Sequence, residues 1–560
     1  MHKNFISEKK YGIAVGIILL VIFAQLLYLI NYEGAISDEQ FYPGVGKYLV
    51  ETGNFSLVTI ALQSHPPLSY YINSLFLYPS KDPIWKQSPY SLRNVVEYYG
   101  LDYILLITRI PIALVSLLLS FYIYKWAKEL YGKKAGLFAL LLYAFEPTIL
   151  AHSSFTTTDI VAVAFMFIAI YYLWRYDNQQ TKTRLAIAGV TLGLALLTKY
   201  SALILVPLTF AFLIYKYHKN IREINTWKII VGYFSIAFLI VWASYGFQFS
   251  TISNEIHSKE KAMNFIDKKY SGFTKEVIIT GMNIPIPATT YIGGLGYNVY
   301  HSAVGHYNYF FGEVSLEAKW YYHPIIFLSK SPIPLLIILA ILISGIIYKK
   351  KTIKWKDEKY LIIPIIVYLI FLWFIINLNL GLRHSLPIYP FMFVLASSII
   401  SFKFKASKGK TIYKIVLTMM IIWYIVEALF ILPHNLSYFN EFVGSENGWL
   451  YFADTDVDWG GYEVKEVGKY VRSNNITDFK FTLSLVNEYA RAYIDPNLLG
   501  DKDWEIIPGC KPKNGIYVAT TSQLTLLGNR ECYKWLLNYS PVDKIGYSMF
   551  IYNITDVEVS

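Results

Sequence analysis

Cysteine is nearly absent. Two residues, Cys510 and Cys532, occur in 560. Two thiols rule out a disulfide scaffold or a Cys-rich metal fold as the organising device. Charge is scarce as well: Asp, Glu, Lys and Arg make up 16% of the chain, against about 25% in an average soluble domain. There is no Gly-rich phosphate loop ending in Lys-Ser or Lys-Thr, no His-Glu-x-x-His and no Gly-x-Ser-x-Gly. That removes the P-loop, zincin and α/β-hydrolase chemistries. No internal repeat or low-complexity tract appears.

Apolar residues are abundant, at 55%. Runs long enough to cross a bilayer recur through most of the chain. Eleven spans are expected, near 11–30, 103–124, 135–150, 159–174, 185–198, 200–215, 229–247, 324–348, 360–377, 383–401 and 412–432. The first is longer than a signal-peptide core, has no small-residue cleavage pattern and reads as a retained helix. Half of the 50 Lys and Arg lie in connections on one side, from Lys3, Lys9 and Lys10 to Lys403, Lys405, Lys408, Lys410 and Lys414. The positive-inside rule then puts the N-terminus in the cytoplasm and residues 433–560 outside. This topology accounts for most of the net charge of +11, so nucleic acid is not an expected partner. Five glycosylation sequons, beginning at Asn54, Asn435, Asn475, Asn538 and Asn553, fall on the expected outer side. Cys510 and Cys532 fall there too, where they are either bridged or two lone thiols.

Two regions therefore organise the chain. Residues 1–432 form a membrane part with long outer loops at about 31–102 and 248–323. The tail, 433–560, has more charge and short alternating runs such as Phe479–Leu483 and Gly515–Ala519. It reads as a small external α/β domain. The fold class is an all-α polytopic membrane protein with that α/β tail.

Candidate chemistry sits at membrane edges, where an acid or base is costly and tends to be functional. Asp38 and Glu39 follow the first span, with Asp38 either a general base or the cap of a surface helix. His65-Pro66-Pro67 opens a further helix and holds either an anion or only a turn. Asp159 starts the fourth span, as a second acid facing Asp38 or as a cap. Lys199 separates two short spans and either snorkels or contacts phosphate. Lys330 lies inside an apolar span before Ser331-Pro332, where a cavity or an anion must serve it. Arg383 is the only basic residue in a short outer turn and suits bidentate phosphate recognition. Asp454, Asp456 and Asp458 alternate before Trp459, as a Ca²⁺ loop or, with more weight, a turn with solvated acids.

These motifs, in this order, resemble the protein O-mannosyltransferase and aminoarabinose transferase superfamily and its family-39-like prokaryotic members. The resemblance is carried by Ser37-Asp38-Glu39, Glu51-Thr52-Gly53, His65-Pro66-Pro67-Leu68, Ala151-His152 through Asp159, and Leu197-Thr198-Lys199-Tyr200-Ser201. It continues through Trp320-Tyr321-Tyr322, Lys330-Ser331-Pro332, Gly381-Leu382-Arg383-His384, Tyr438-Phe439-Asn440-Glu441 and Asp458-Trp459-Gly460. It implies a GT-C-type glycosyltransferase that takes a sugar from a polyprenyl-phosphate donor in the bilayer. The acceptor would be a hydroxyl on a protein, lipid or glycan outside. Asp38 would be the base, Glu39 and Asp159 its neighbouring acids, and Arg383 the phosphate holder, helped by His65, Lys199 or Lys330. Aminoarabinose transferases carry Glu-Lys where this chain has Ser64-His65, so neither a metal site nor a phosphate-binding lysine carries over there, and lipid A is not the implied acceptor. No cofactor is assigned, and a divalent cation is left open. Two other classes stand beside this one: a secondary transporter, which needs mid-membrane sites on repeated halves, and an oligosaccharyltransferase-type enzyme, whose double-Trp acidic signature is missing.

Overall fold

The computed structural model describes residues 2–53, 55, 65–77, 100–255, 259–348, 352–402, 407–444, 446–452, 455–476, 479–482, 493, 512–525 and 532–556. Each of the eleven apolar stretches is helical over most of its length. Fewer stand out by length and composition as spans. Among the described residues seven helices are long and apolar enough to cross a membrane, or up to nine if each of two bent pairs counts as one span. The helix Lys182–Leu196 has 15 residues, roughly 22 Å at 1.5 Å per residue, which is short of a hydrocarbon core of about 30 Å. Trp355–Phe374 spends its first turn on Lys356, Asp357, Glu358 and Lys359. The bent pairs are Lys133–Ala144 with Pro147–Ser154, at 65°, and Tyr322–Lys330 with Ile333–Ile347, at 113°.

In lipid, helices associate through close backbone approach rather than apolar burial. The pair Lys182–Leu196 and Ile224–Ser244 shows this. A Cβ on Gly189 would meet Tyr233 O at 2.9 Å, and one on Gly193 would meet Ile240 Cβ at 2.7 Å and Ala237 O at 2.8 Å. Any larger residue at these two positions pushes the helices apart.

A bend frees backbone carbonyls that must find donors inside the protein. At the 113° bend, Asn440 supplies them. Its Nδ2 donates to Leu328 O (2.6 Å) and Ser331 O (2.8 Å), and its backbone N–H donates to Ser329 O (2.9 Å). Ser331 Oγ meets Tyr389 Oη at 2.7 Å. Lys330 belongs to the same seam: its Nζ donates to Leu436 O at 3.1 Å and lies 4.9 Å above the Phe439 ring. The run Leu436–Asn440 thus closes the break.

After the first span the chain makes a 3₁₀ turn, Ser37–Gln40, and a helix, Tyr42–Thr52. This is not a surface helix. Val45, Tyr48 and Leu49 are buried against Tyr70 of the helix Leu68–Asn73. A Cβ on Gly46 would fall 2.0 Å from Tyr70 O, so only glycine allows this contact. The helix ends at Gly53, whose φ of +60° makes the left-handed stop. The loop at 248–323 contains helices Lys259–Lys269, Gly272–Met282 and Thr289–Val304, the last carrying Gly293–Gly296. The His301 and His306 rings are 6.3 Å apart.

The tail is α/β, as its alternating runs predict. Strands Lys480–Thr482, Gly515–Thr520, Met549–Ile554 and Asp543–Ile545 lie side by side in that order. The first pair is parallel and the other two antiparallel. The helix Val464–Ser473 packs Val464, Val467 and Val471 against Phe481, Val518 and Ile551. Cys532 is disulfide-bonded; its candidate partner Cys510 lies outside the described residues, as do Asp454 and the sequon residues Asn54, Ser56 and Thr477. Of the other sequons, Asn475, Asn538 and Asn553 are exposed. Asn435 is buried within the seam, so its sequon cannot be read as a glycan site.

Candidate functional site

The turn Ser37–Gln40 is fixed from beneath by one guanidinium. Arg109, on the long helix Leu101–Tyr131, is fully buried. Its Nε donates to Glu39 Oε1 and one terminal nitrogen to Glu39 Oε2, both at 2.7 Å. The same group donates to the carbonyls of Ile30, Glu33 and Gly34 at 3.2, 3.0 and 2.6 Å. Glu39 takes two more donors, Thr156 N at 2.8 Å and Ile36 N at 3.0 Å. Every lone-pair direction of that carboxylate is used. This bidentate geometry is the strong form of the pair.

Asp38 is treated differently. Its side chain is 32% exposed. Tyr42 Oη donates to its Oδ2 at 3.3 Å, and an Arg383 terminal nitrogen lies 4.0 Å from the same oxygen. Arg383 comes from the 3₁₀ segment Leu382–Ile388. Its Nε donates to Leu380 O at 3.2 Å, and its guanidinium stacks 4.5 Å above the Trp459 ring. Asp159 opens the helix Asp159–Asn178, and Lys199 precedes the 3₁₀ segment Tyr200–Ile204. They form an ion pair at 2.6 Å. His65 packs edge-on against Tyr42, with ring centroids 5.9 Å apart, and its Nδ1 is buried without a hydrogen-bond partner.

The charges of these groups act on one another. Burial pushes the Asp38 carboxyl above its ordinary value; Arg383 and Lys199 pull it down, and Asp159 pushes it up. Burial, then the positive charges of Lys199 and Arg383, push the His65 imidazole down to about 3. His65 is therefore neutral near pH 7 and offers an N–H rather than a positive charge.

Five of the seven residues expected from the sequence thus come together in one cluster of charge contacts: Asp38, His65, Asp159, Lys199 and Arg383. Glu39 is held below it by Arg109, and Lys330 sits in the helix-break seam. Of the alternating acids of the tail, Asp458 is not a solvated group. Asp458 is buried and accepts from Thr521 Oγ1 (3.1 Å), Ser522 N (2.8 Å), Ser522 Oγ (2.5 Å) and Gly460 N (3.4 Å). Among the described residues no three His, Cys, Asp or Glu side chains gather as metal ligands.

Two contributors escaped the sequence reading, Tyr42 and Arg109, and a third, Trp459, entered it only as part of the Asp458-Trp459-Gly460 motif with no contact to Arg383 expected. Arg109 left a signal. It stands alone in Leu105-Leu106-Ile107-Thr108-Arg109-Ile110-Pro111-Ile112, and an ionisable residue inside a span is a site hypothesis by default. Tyr42 lies four residues after Asp38, one helical turn away. Trp459 follows the alternating acids, and nothing local ties it to a residue 76 positions earlier.

No curated protein matches the chain in sequence. Among solved structures, ArnT from Cupriavidus metallidurans in the apo state is similar at 12% identity and a TM-score of 0.48, covering 97% of this chain and 98% of that one. ArnT bound to undecaprenyl phosphate gives 12% and 0.47, covering 96% and 97%. The archaeal oligosaccharyltransferase AglB from Archaeoglobus fulgidus, in complex with an inhibitory peptide and a dolichol-phosphate, gives 15% and 0.47, covering 88% of this chain and 60% of that one. Residues 105–245, which carry Arg109, Asp159 and Lys199, match the family described as dolichyl-phosphate-mannose-protein mannosyltransferase.

Proposed function

We propose that the chain is a GT-C-type membrane glycosyltransferase that moves a sugar from a polyprenyl-phosphate donor to an acceptor hydroxyl on a protein, lipid or glycan. The observation that carries this is the charge cluster itself. Four segments distant in sequence bring an underused carboxylate, Asp38, within 4.0 Å of an arginine fork, Arg383, beside the Asp159–Lys199 pair. The family match over 105–245 supports the donor class.

The chemistry follows from the charges. Asp38 takes the proton of the acceptor hydroxyl as its oxygen attacks the anomeric carbon. The bond from that carbon to the phosphate oxygen breaks, and the lipid phosphate leaves with the electron pair. Arg383 meets the charge that develops there with two parallel N–H donors. Lys199, steadied by Asp159, adds positive charge, and His65 adds a neutral N–H. Attack opposite the leaving group inverts the anomeric centre. Glu39 serves by holding the Asp38 turn on Arg109, and Lys330 by closing the helix break.

In this reading the N-terminus is cytoplasmic and the cluster and tail face outside, supported by the Lys and Arg distribution. A membrane-impermeant maleimide should label a cysteine introduced at exposed Ser473 in intact cells; labelling only after permeabilisation reverses the orientation. The activity is tested on purified chain in liposomes carrying a polyprenyl-phosphate-linked sugar. Acceptor-dependent release of free polyprenyl phosphate is expected. Release from no donor of this class, with the protein folded, removes the reading.

A further inference from the structure

We propose that Trp459 is a positioning residue for Arg383, so that the C-terminal tail completes the site for the lipid-linked phosphate. The proposal rests on the reading of Arg383 as the group that meets that phosphate.

Trp459 reaches the cluster from the tail and is almost fully buried. Its ring lies 4.5 Å below the Arg383 guanidinium. The opposite surroundings of the ring are fixed: His152 is 5.3 Å and Phe155 6.0 Å away between centroids. Both belong to the segment that runs into Asp159. A planar guanidinium on an indole face is held in its own plane. With Nε tied to Leu380 O, one terminal nitrogen lies 4.0 Å from Asp38 Oδ2. A guanidinium free to rotate would present its fork in many orientations, and the donor would have to select one.

The backbone is bent to put the ring there. Trp459, Gly460 and Gly461 have φ of +34°, +75° and +111°. A bulky residue at positive φ is uncommon and costs energy that the surroundings must offset. Those surroundings are hydrogen bonds and close contacts on both sides of the turn. Asp458 is locked by four donors from Gly460, Thr521 and Ser522. Ser37 donates its N–H to Trp459 O at 3.3 Å and its hydroxyl to the same oxygen at 3.4 Å. Gly34 donates to Tyr462 O at 2.6 Å. A Cβ on Gly460 would lie 2.1 Å from Ser37 Oγ. The tail turn is therefore pinned to the residue just before Asp38 while its side chain supports Arg383. One five-residue turn sets the spacing between proton acceptor and phosphate holder.

The test uses the full chain with Trp459→Phe, which keeps a π face, and Trp459→Leu, which keeps apolar bulk without one. Each is made alone and with Arg383→Ala. Titration with undecaprenyl phosphate should show roughly tenfold weaker binding for Trp459→Leu and near-parental binding for Trp459→Phe. Neither should weaken binding further once Arg383 is alanine. Parental binding by Trp459→Leu, or an equal loss in the Arg383→Ala background, overturns the proposal. A second readout needs no lipid: phenylglyoxal modification of Arg383, followed by mass spectrometry. It should run several-fold faster in Trp459→Leu than in the parent or Trp459→Phe. If the parent binds no undecaprenyl phosphate, the functional reading falls, and equal phenylglyoxal rates would then overturn the stacking role separately.

Discussion

Around Glu39 each carboxylate oxygen has two donors, one from Arg109 and one from a backbone amide, all between 2.7 and 3.0 Å. Around Asp38, one residue earlier, a hydroxyl sits at 3.3 Å and a guanidinium at 4.0 Å. The first region is saturated and closed to solvent. The second keeps lone pairs available and a path to them. Two adjacent acids thus differ in donor supply, which suits one to fastening and, in the proposed function, the other to proton transfer. A carboxylate with four donors cannot accept a proton without losing hydrogen bonds to a buried cation. A carboxylate with one weak donor and a loose ion pair can.

Conservative amides break this comparison most sharply. Asp38→Asn keeps shape and loses proton acceptance, so transfer should fall by roughly 10²–10⁴ while thermal unfolding stays near that of the parent. Glu39→Gln leaves the buried Arg109 guanidinium without its counter-charge and should cost about 3–5 kcal/mol of stability. Thermal unfolding and single-turnover transfer, measured on both, should show this crossed pattern. The same loss of stability in both variants would erase the distinction.

The pH dependence gives a smaller, signed effect. Asp38 accepts a proton only when ionised, so the rate falls as pH drops through its pKa. Burial has raised that value, so the acidic limb should lie above the ordinary Asp range near about 3.9. Arg383 lowers the value and Asp159 raises it. Hence Arg383→Gln should move the limb to higher pH, and Asp159→Asn to lower pH, in rates taken at saturating donor. A limb that stays in place in both variants would detach it from Asp38.

The helices and much of the cluster were legible in the sequence, because spans announce themselves by apolar runs and site residues by charge at their ends. Asp38, His65, Asp159, Lys199 and Arg383 were singled out that way, and they lie near one another. What charge placement alone does not reveal is which partner a side chain will meet. Lys330 and Arg109 are both cations inside apolar helices, yet one finds the Leu436 carbonyl and the Phe439 ring over 100 residues away, and the other finds Glu39, 70 residues away. The shape of the spans was hidden for a related reason. A run of apolar residues reads as one rod, but Glu146-Pro147 and Ser331-Pro332 bend two of them, and Lys182–Leu196 has only 15 residues. Trp459 was the least legible, since its role depends on a tail turn reaching back to the first loop.

The central claim is that Arg383 meets a lipid-linked phosphate beside Asp38, and donor titration of Arg383 variants at saturating acceptor tests it most directly. A charge-assisted contact of this kind is worth about 1.5–3 kcal/mol, and Lys cannot reproduce the planar fork. Arg383→Lys should therefore require more donor for half-maximal rate although the charge is kept, and Arg383→Ala roughly ten- to a hundredfold more. Parental donor dependence in a folded Arg383→Ala variant would contradict the account.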